Sequence, residues 1–283
     1  MIPQEVRQWI MDQGCGEVVA EQALSGGSIN DSRRLATSMG MTYFIKTNPG
    51  APEDMFKQEA LGLETLRVPG APRVPTVYLT GRDFILLEDL QPNGRRPDFW
   101  VCFGRQFAAL HGKTRKTWGF ADDNYLGTTP QPNPQTADGY TFFAQQRLMH
   151  LGTRVHAARL LDKAELKRLE KLAAKLKDLI PEQPASLLHG DLWGGNALHD
   201  QSGNPALIDP AAYYGWAEAD LALTALFGGF PPEFYDAYVE TRPLEDGWRA
   251  RFPIYNLYHL LNHLLLFGRG YYGQVMQVLT TYA

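Results

Sequence analysis

The first ninety residues switch from helical to extended spacing within a few turns of chain. Val6, Trp9 and Ile10 recur at helical intervals, and Gly14 and Gly16 close that segment. From Val19 to Thr47 short apolar runs are divided by Gly26-Gly27 and Gly40, and Tyr43-Phe44-Ile45 reads as a strand ending at Lys46. Such texture predicts consecutive antiparallel strands. A helix is predicted from Pro52 to Leu66, with Glu59 in its middle. Val77-Tyr78-Leu79 and Phe84-Ile85-Leu86-Leu87 predict two further strands around Gly81-Arg82-Asp83.

After Asp89 the texture changes. Gln91 to Pro97 is polar and reads as a linker, and Phe99 to His111 is an apolar helix. Asp122 to Gly139, rich in Asn, Gly, Pro and Thr, predicts a long loop, and long loops in compact proteins are often functional. Asp162 to Ile180 is the clearest helix. Asp162 and Glu165 have capping-box spacing, and Leu166, Leu169, Leu172, Leu176 and Leu179 make its apolar stripe. The pattern predicts an α+β, two-lobed chain: an antiparallel-sheet lobe over residues 1–90 and a mainly helical lobe over residues 91–283.

Composition narrows the class. The 283 residues are 44% hydrophobic, enough for a packed core, and a length that suits one large domain or two lobes. A net charge of −4 argues against a nucleic-acid partner, which calls for a basic stripe. Met1 to Gly14 has no apolar run of signal-peptide type, and Leu257 to Phe267, broken by His259, Asn262 and His263, is too short and polar to span a bilayer. Cys15 and Cys102 make no disulfide scaffold, so a cytoplasmic protein is expected, without a membrane partner.

The candidate chemistry lies in Leu188-His189-Gly190-Asp191-Leu192-Trp193-Gly194-Gly195-Asn196. Asp191 and Asn196 are five residues apart. Residues 197–199 and 206–208 read as arms of a hairpin, whose open end brings Asn196 beside Asp209. Magnesium takes hard oxygen ligands, which Asn196 and Asp209 can supply. Asp191 then stays free to accept a proton from an attacking hydroxyl. A base Asp, an Asn five residues on and a downstream Asp on magnesium is the division of labour used by kinases. Lys46 on a strand and Glu59 on a helix have the order of the pair that holds ATP phosphates. Gly26, Gly27 and Ser28 form a turn that either cradles phosphates or is an ordinary hairpin turn. Glu88-Asp89-Leu90, at the lobe junction, is the candidate hinge for the adenine. His189 and Asp220 are expected to brace the catalytic loop. Trp193 either stacks on a sugar or packs, and His259 and His263 are expected to pack rather than bind zinc.

These residues resemble the fructosamine kinase (ketosamine kinase) family, a branch of the protein-kinase-like fold near the aminoglycoside phosphotransferases. The similarity spans nearly the whole chain. It rests on the segment 188–196, on Ile208-Asp209-Pro210-Ala211, Tyr214-Gly215 and Glu218-Ala219-Asp220-Leu221-Ala222, and on Tyr255 to His263. Asn124-Tyr125-Leu126-Gly127 and Pro130-Gln131-Pro132-Asn133 resemble the family's central loop. The resemblance implies an ATP- and Mg²⁺-dependent kinase that phosphorylates a sugar hydroxyl of a small or protein-bound ketosamine. The 3-phosphate then decomposes and frees the amine, a deglycation. It implies Trp193 and Tyr214 as substrate contacts, in a monomer or homodimer. Ser28 stands where the family often has cysteine, and Tyr140-Thr141-Phe142-Phe143 where a Trp is common. The other readings are a kinase of aminoglycosides, choline or free sugars, and an inactive nucleotide-binding module.

Overall fold

The computed structural model describes residues 2–24 and 30–283. Gly26, Gly27 and Ser28 therefore lie outside the described residues. The first helix, α1 (Gln4–Asp12), buries Val6 and Ile10 against a five-stranded antiparallel sheet. Its strands are β1 (Val18–Ala23), β2 (Asp31–Thr37), β3 (Thr42–Thr47), β4 (Val77–Thr80) and β5 (Phe84–Glu88), in the order β1-β2-β3-β5-β4. Alternation explains β3: Tyr43 and Ile45 go into the small core with Leu35, Phe84 and Leu86. Helix α2 (Met55–Thr65) covers the other face, starting three residues later than Pro52.

The remaining chain is mainly helical. Helix α3 (Phe99–His111) crosses the helix Pro232–Thr241 through Phe103, Phe107, Phe234 and Tyr238. Gly104 permits the close crossing, because a Cβ there would stand 2.2 Å from the Phe234 carbonyl oxygen. Short strands frame the chemical segment: β6 (Thr114–Arg115), β7 (Asn124–Leu126), β8 (Thr129–Gln131), β9 (Ala185–Leu188), β10 (Ala197–His199), β11 (Pro205–Leu207) and β12 (Tyr213–Gly215). They form a three-stranded sheet ordered β12-β9-β6 and the hairpins β7-β8 and β10-β11.

Two sequence expectations change. The stretch 122–139 is not a plain loop, because β7 and β8 form a tight hairpin within it. Three of its polar residues, Asn124, Gln131 and Asn133, are buried in amide hydrogen bonds rather than exposed. The helix expected over 162–180 breaks at Lys175 into Lys163–Ala174 and Leu176–Leu179. The lobes are also stitched together. The Arg73 N–H donates to the Pro205 carbonyl at 3.1 Å, and the Leu207 N–H donates to the Arg73 carbonyl at 2.7 Å. Among the described residues no helix is long and apolar enough to cross a membrane.

The capping box is present in full: the Glu165 N–H donates to Asp162 at 2.8 Å, and the Asp162 N–H donates to Glu165 at 2.7 Å. Asp162→Ala should cost about 1 kcal/mol in chemical denaturation. An unchanged midpoint would show that tertiary packing alone sets this helix start.

Candidate active site

Lys46 sits on the central strand β3, between Ser32 of β2 and Ile85 of β5. Its side chain is 3% exposed. A buried ammonium needs counter-charge, and two carboxylates supply it. Nζ donates to Glu59 Oε1 of α2 at 2.6 Å and, closely, to Asp209 Oδ1. Burial favours the neutral amine, but Asp209 and Glu59 outweigh it and hold the Lys46 pKa above its ordinary value. Burial pushes the Glu59 carboxyl up, against the pull of Lys46. The pair predicted from the sequence is therefore formed, with Asp209 as a third member.

Strand β9 delivers the catalytic loop. Gly190 has φ +81°, and a Cβ there would lie 2.1 Å from the Ala211 carbonyl oxygen, so both conformation and space demand glycine. Asp220 anchors the loop by accepting the N–H groups of His189 at 2.7 Å and Gly190 at 2.9 Å. Burial alone would raise the Asp220 pKa, but hydrogen bonds from His111 and Gly190 hold it below the usual range. His189 is wholly buried. Its Nε2 donates to the Ile208 carbonyl at 2.9 Å and its Nδ1 accepts the Asp191 N–H at 3.3 Å. Both bonds suit a neutral ring, and burial lowers its pKa. His189 and Asp220 are braces, as expected.

The hairpin brings the remaining groups together. Ala197 pairs with Leu207, and the Ile208 N–H reaches the Asn196 carbonyl at 3.2 Å, so Asn196 and Asp209 flank the open end. The Asn196 amide donates to the Asp191 carbonyl at 2.8 Å and to Asp191 Oδ2 at 3.3 Å. Its Oδ1 is left as an acceptor. Asp209 adopts φ +57°, uncommon for a residue with a Cβ. The Asp191 pKa is pushed up to about 7, by burial first and then by the charges of Asp209 and Asp220. A carboxylate poised near neutrality suits a general base.

Lys46, Glu59, Asp191, Asn196 and Asp209 line one cavity of about 400 Å³. Trp193 joins them, 37% exposed. Tyr214 does not: it is 1% exposed on β12 under the Arg115 guanidinium, so its expected substrate contact is corrected to a packing role. The side chains of the hinge candidates also point elsewhere. Glu88 binds Arg73 and the Thr76 N–H, Asp89 pairs with Arg34, and Leu90 is buried, so none of these side chains lines the cavity. Tyr140 lies off the cavity, its hydroxyl on the Ile180 carbonyl. The pattern of single residues missed the opposite wall, made by Asn124–Gly127, Phe227, Asn262, His263, Phe267 and Tyr271. His263 there is neutral in its bonding, donating from Nδ1 to the His259 carbonyl at 2.8 Å, and packs on Phe227, Phe267 and Tyr271.

A lysine clamped between a sheet and a helix, on one cavity with Asp191, Asn196 and Asp209, fits a phosphotransferase of the protein-kinase-like class. The chain belongs to the fructosamine kinase family, whose pattern it matches over residues 1–283. A chain from Synechocystis sp. that carries the provisional name ketoamine kinase is 40% identical over 267 residues, covering 91% of this chain and 88% of that one. The chloroplastic protein-ribulosamine 3-kinase of Oryza sativa subsp. indica is 36% identical, covering 98% of this chain and 83% of its own length. A crystal structure from Thermobifida fusca, provisionally assigned as a fructosamine-3-kinase, superposes with a TM-score of 0.89 at 32% identity, covering 99% of both chains.

The raised Asp191 pKa has a cost in stability. A carboxyl near 3.8 when unfolded and about 7 when folded is neutral on both sides below pH 4, so nothing is lost there. Stability then falls as pH rises between those values and stays reduced above 7. Asp191→Asn removes this loss while keeping an acceptor for Asn196. Its Tm relative to wild type should rise from pH 4.5 to pH 8 in chelator-treated protein; a gap independent of pH would contradict the assignment.

Proposed function

We propose that this kinase transfers the γ-phosphoryl group of ATP to O3 of a ketosamine, the adduct of a rearranged sugar and an amine. The observation that carries the reading is the convergence of Lys46, Asp191, Asn196 and Asp209 on one cavity in a chain of this family. Among the described residues the cavity wall bears three carboxylates, Glu59, Asp191 and Asp209, against the single ammonium of Lys46. That balance suits an acceptor that carries an amine. The relatives named for ribulosamine and ketoamine kinases support the same substrate class.

The donor set fits magnesium. Asn196 keeps Oδ1 free because its amide nitrogen is committed to Asp191, and Asp209 keeps one oxygen beyond Lys46. When bound there, magnesium supplies positive charge to the phosphate oxygens. Lys46, fixed by Glu59, binds the phosphates from the sheet side. Asp191 accepts the proton of the acceptor hydroxyl as its oxygen bonds to phosphorus, and the bond to the β,γ-bridging oxygen breaks to release ADP. Trp193 offers an aromatic face to the sugar. Hinge contacts to the adenine come from the backbone of residues 88–90. The two free cysteines fit a reducing compartment such as the cytoplasm.

Purified enzyme should consume ATP with fructosyl-lysine or ribulosyl-lysine, and NMR should place the phosphate on O3. Asp191→Asn should lose about 10²–10⁴-fold in kcat with ATP affinity retained. Phosphorylation of an aminoglycoside but of no ketosamine would move the enzyme to another acceptor class.

A further inference from the structure

The most unusual buried charge lies behind the cavity. Arg147 is fully enclosed, and among the described residues no carboxylate pairs with it. It sits on a π-helical stretch, Phe143–Met149, a geometry frequent at functional sites. Three rings take its charge: Phe142 at 4.6 Å, Tyr213 at 4.0 Å and Tyr258 at 5.4 Å. Its nitrogens donate to the Pro132 carbonyl at 2.8 Å, the Gln146 carbonyl at 3.1 Å and Asn133 Oδ1 at 2.7 Å. A nearby carboxylate would be the ordinary partner for such a group.

The bond to Asn133 starts a chain. Because Asn133 Oδ1 faces Arg147, its Nδ2 donates onward to Asn124 Oδ1 at 2.9 Å. Gln131 donates to the same oxygen at 2.7 Å and to the Ala211 carbonyl at 3.1 Å, and Tyr258 donates to Gln131 at 2.8 Å. Asn124 Nδ2 therefore turns to the Ala212 carbonyl, at 2.8 Å. A guanidinium only donates, and the carbonyls of Ala211 and Ala212 only accept. With those two ends fixed, each amide between them has one orientation. Asn124 lines the cavity, as do Asp209 and Pro210, which Ala211 and Ala212 follow directly. Tyr213, above Arg147, pairs with Leu188 on the strand that leads into the catalytic loop.

We propose that Arg147 is a positioning residue for phosphoryl transfer. Through Asn133 it helps to set the direction of a buried hydrogen-bond chain that meets the Gln131 branch at Asn124 and locks the acceptor-side wall to the Asp209–Ala212 segment. The consequence for turnover rests on the kinase reading above; the locking itself does not.

Asn133→Asp separates this role from packing. The new carboxylate gives Arg147 the counter-ion it lacks, so the protein folds, but it cannot donate to Asn124. Asn124 then turns its amide toward that carboxylate and lets go of both the Ala212 carbonyl and the Gln131 donor. Hydrogen exchange should quicken in residues 122–127 and 210–213 while Tm stays within a few degrees. On a ketosamine, kcat/KM should fall about tenfold or more with ATP affinity unchanged. Arg147→Met should do the same, and Arg147→Lys, which still only donates, should recover part of the loss. Wild-type exchange in both segments of the Asn133→Asp protein would overturn the proposal, as would activity that falls only in step with Tm. The exchange measurement needs no substrate, so a wild-type enzyme silent on ketosamines would sink the substrate reading alone.

Discussion

One ammonium group holds the two halves of this protein in working register. Lys46 is the only cation lining the cavity among the described residues, and it is buried where water cannot compensate it. Glu59 approaches from α2 and Asp209 from the hairpin β10-β11, so three separate elements meet at one nitrogen. Removing the charge would leave the buried Glu59 carboxylate facing the partly exposed one of Asp209 with no counter-charge between them, which is unfavourable. The same constraint makes the uncommon backbone of Asp209 tolerable, because the side chain is pulled to Lys46.

A second layer of polar groups keeps the catalytic loop from adjusting to that strain. Asp220 fixes two consecutive N–H groups, His189 fixes the loop to Ile208, and Asn196 ties back to Asp191. Each of these side chains is satisfied within a few residues of the chemistry. Positions set this way vary little on the timescale of a reaction, which is what preorganised electrostatics requires.

Much of this was legible in the sequence because the signals are local. Lys46 ends an alternating strand, the Asp162 and Glu165 pair marks a helix start, and the turn-rich residues 200–205 announce the hairpin that joins Asn196 to Asp209. Tyr214 misled because an aromatic residue near a motif reads alike whether it faces the cavity or the core; the register of β12 against β9 turns it inward. The acceptor-side wall was invisible for another reason. It assembles Asn124–Gly127, Phe227, Asn262, His263 and Tyr271 from four distant stretches, and no spacing rule connects them. The polar segment 122–139 was misjudged because Asn and Gln serve equally in loops and in buried amide networks.

The bridge between Arg73 and the strand β11 bears on how the two walls of the cavity are held together. Its two backbone hydrogen bonds fasten the hairpin carrying Asn196 and Asp209 to the sheet side of the cleft. Asn196 and Asp209 are therefore tied to the lobe of Lys46 by backbone as well as by side chain. Trp193, Leu266 and Phe267 stand exposed at the rim of the same cavity.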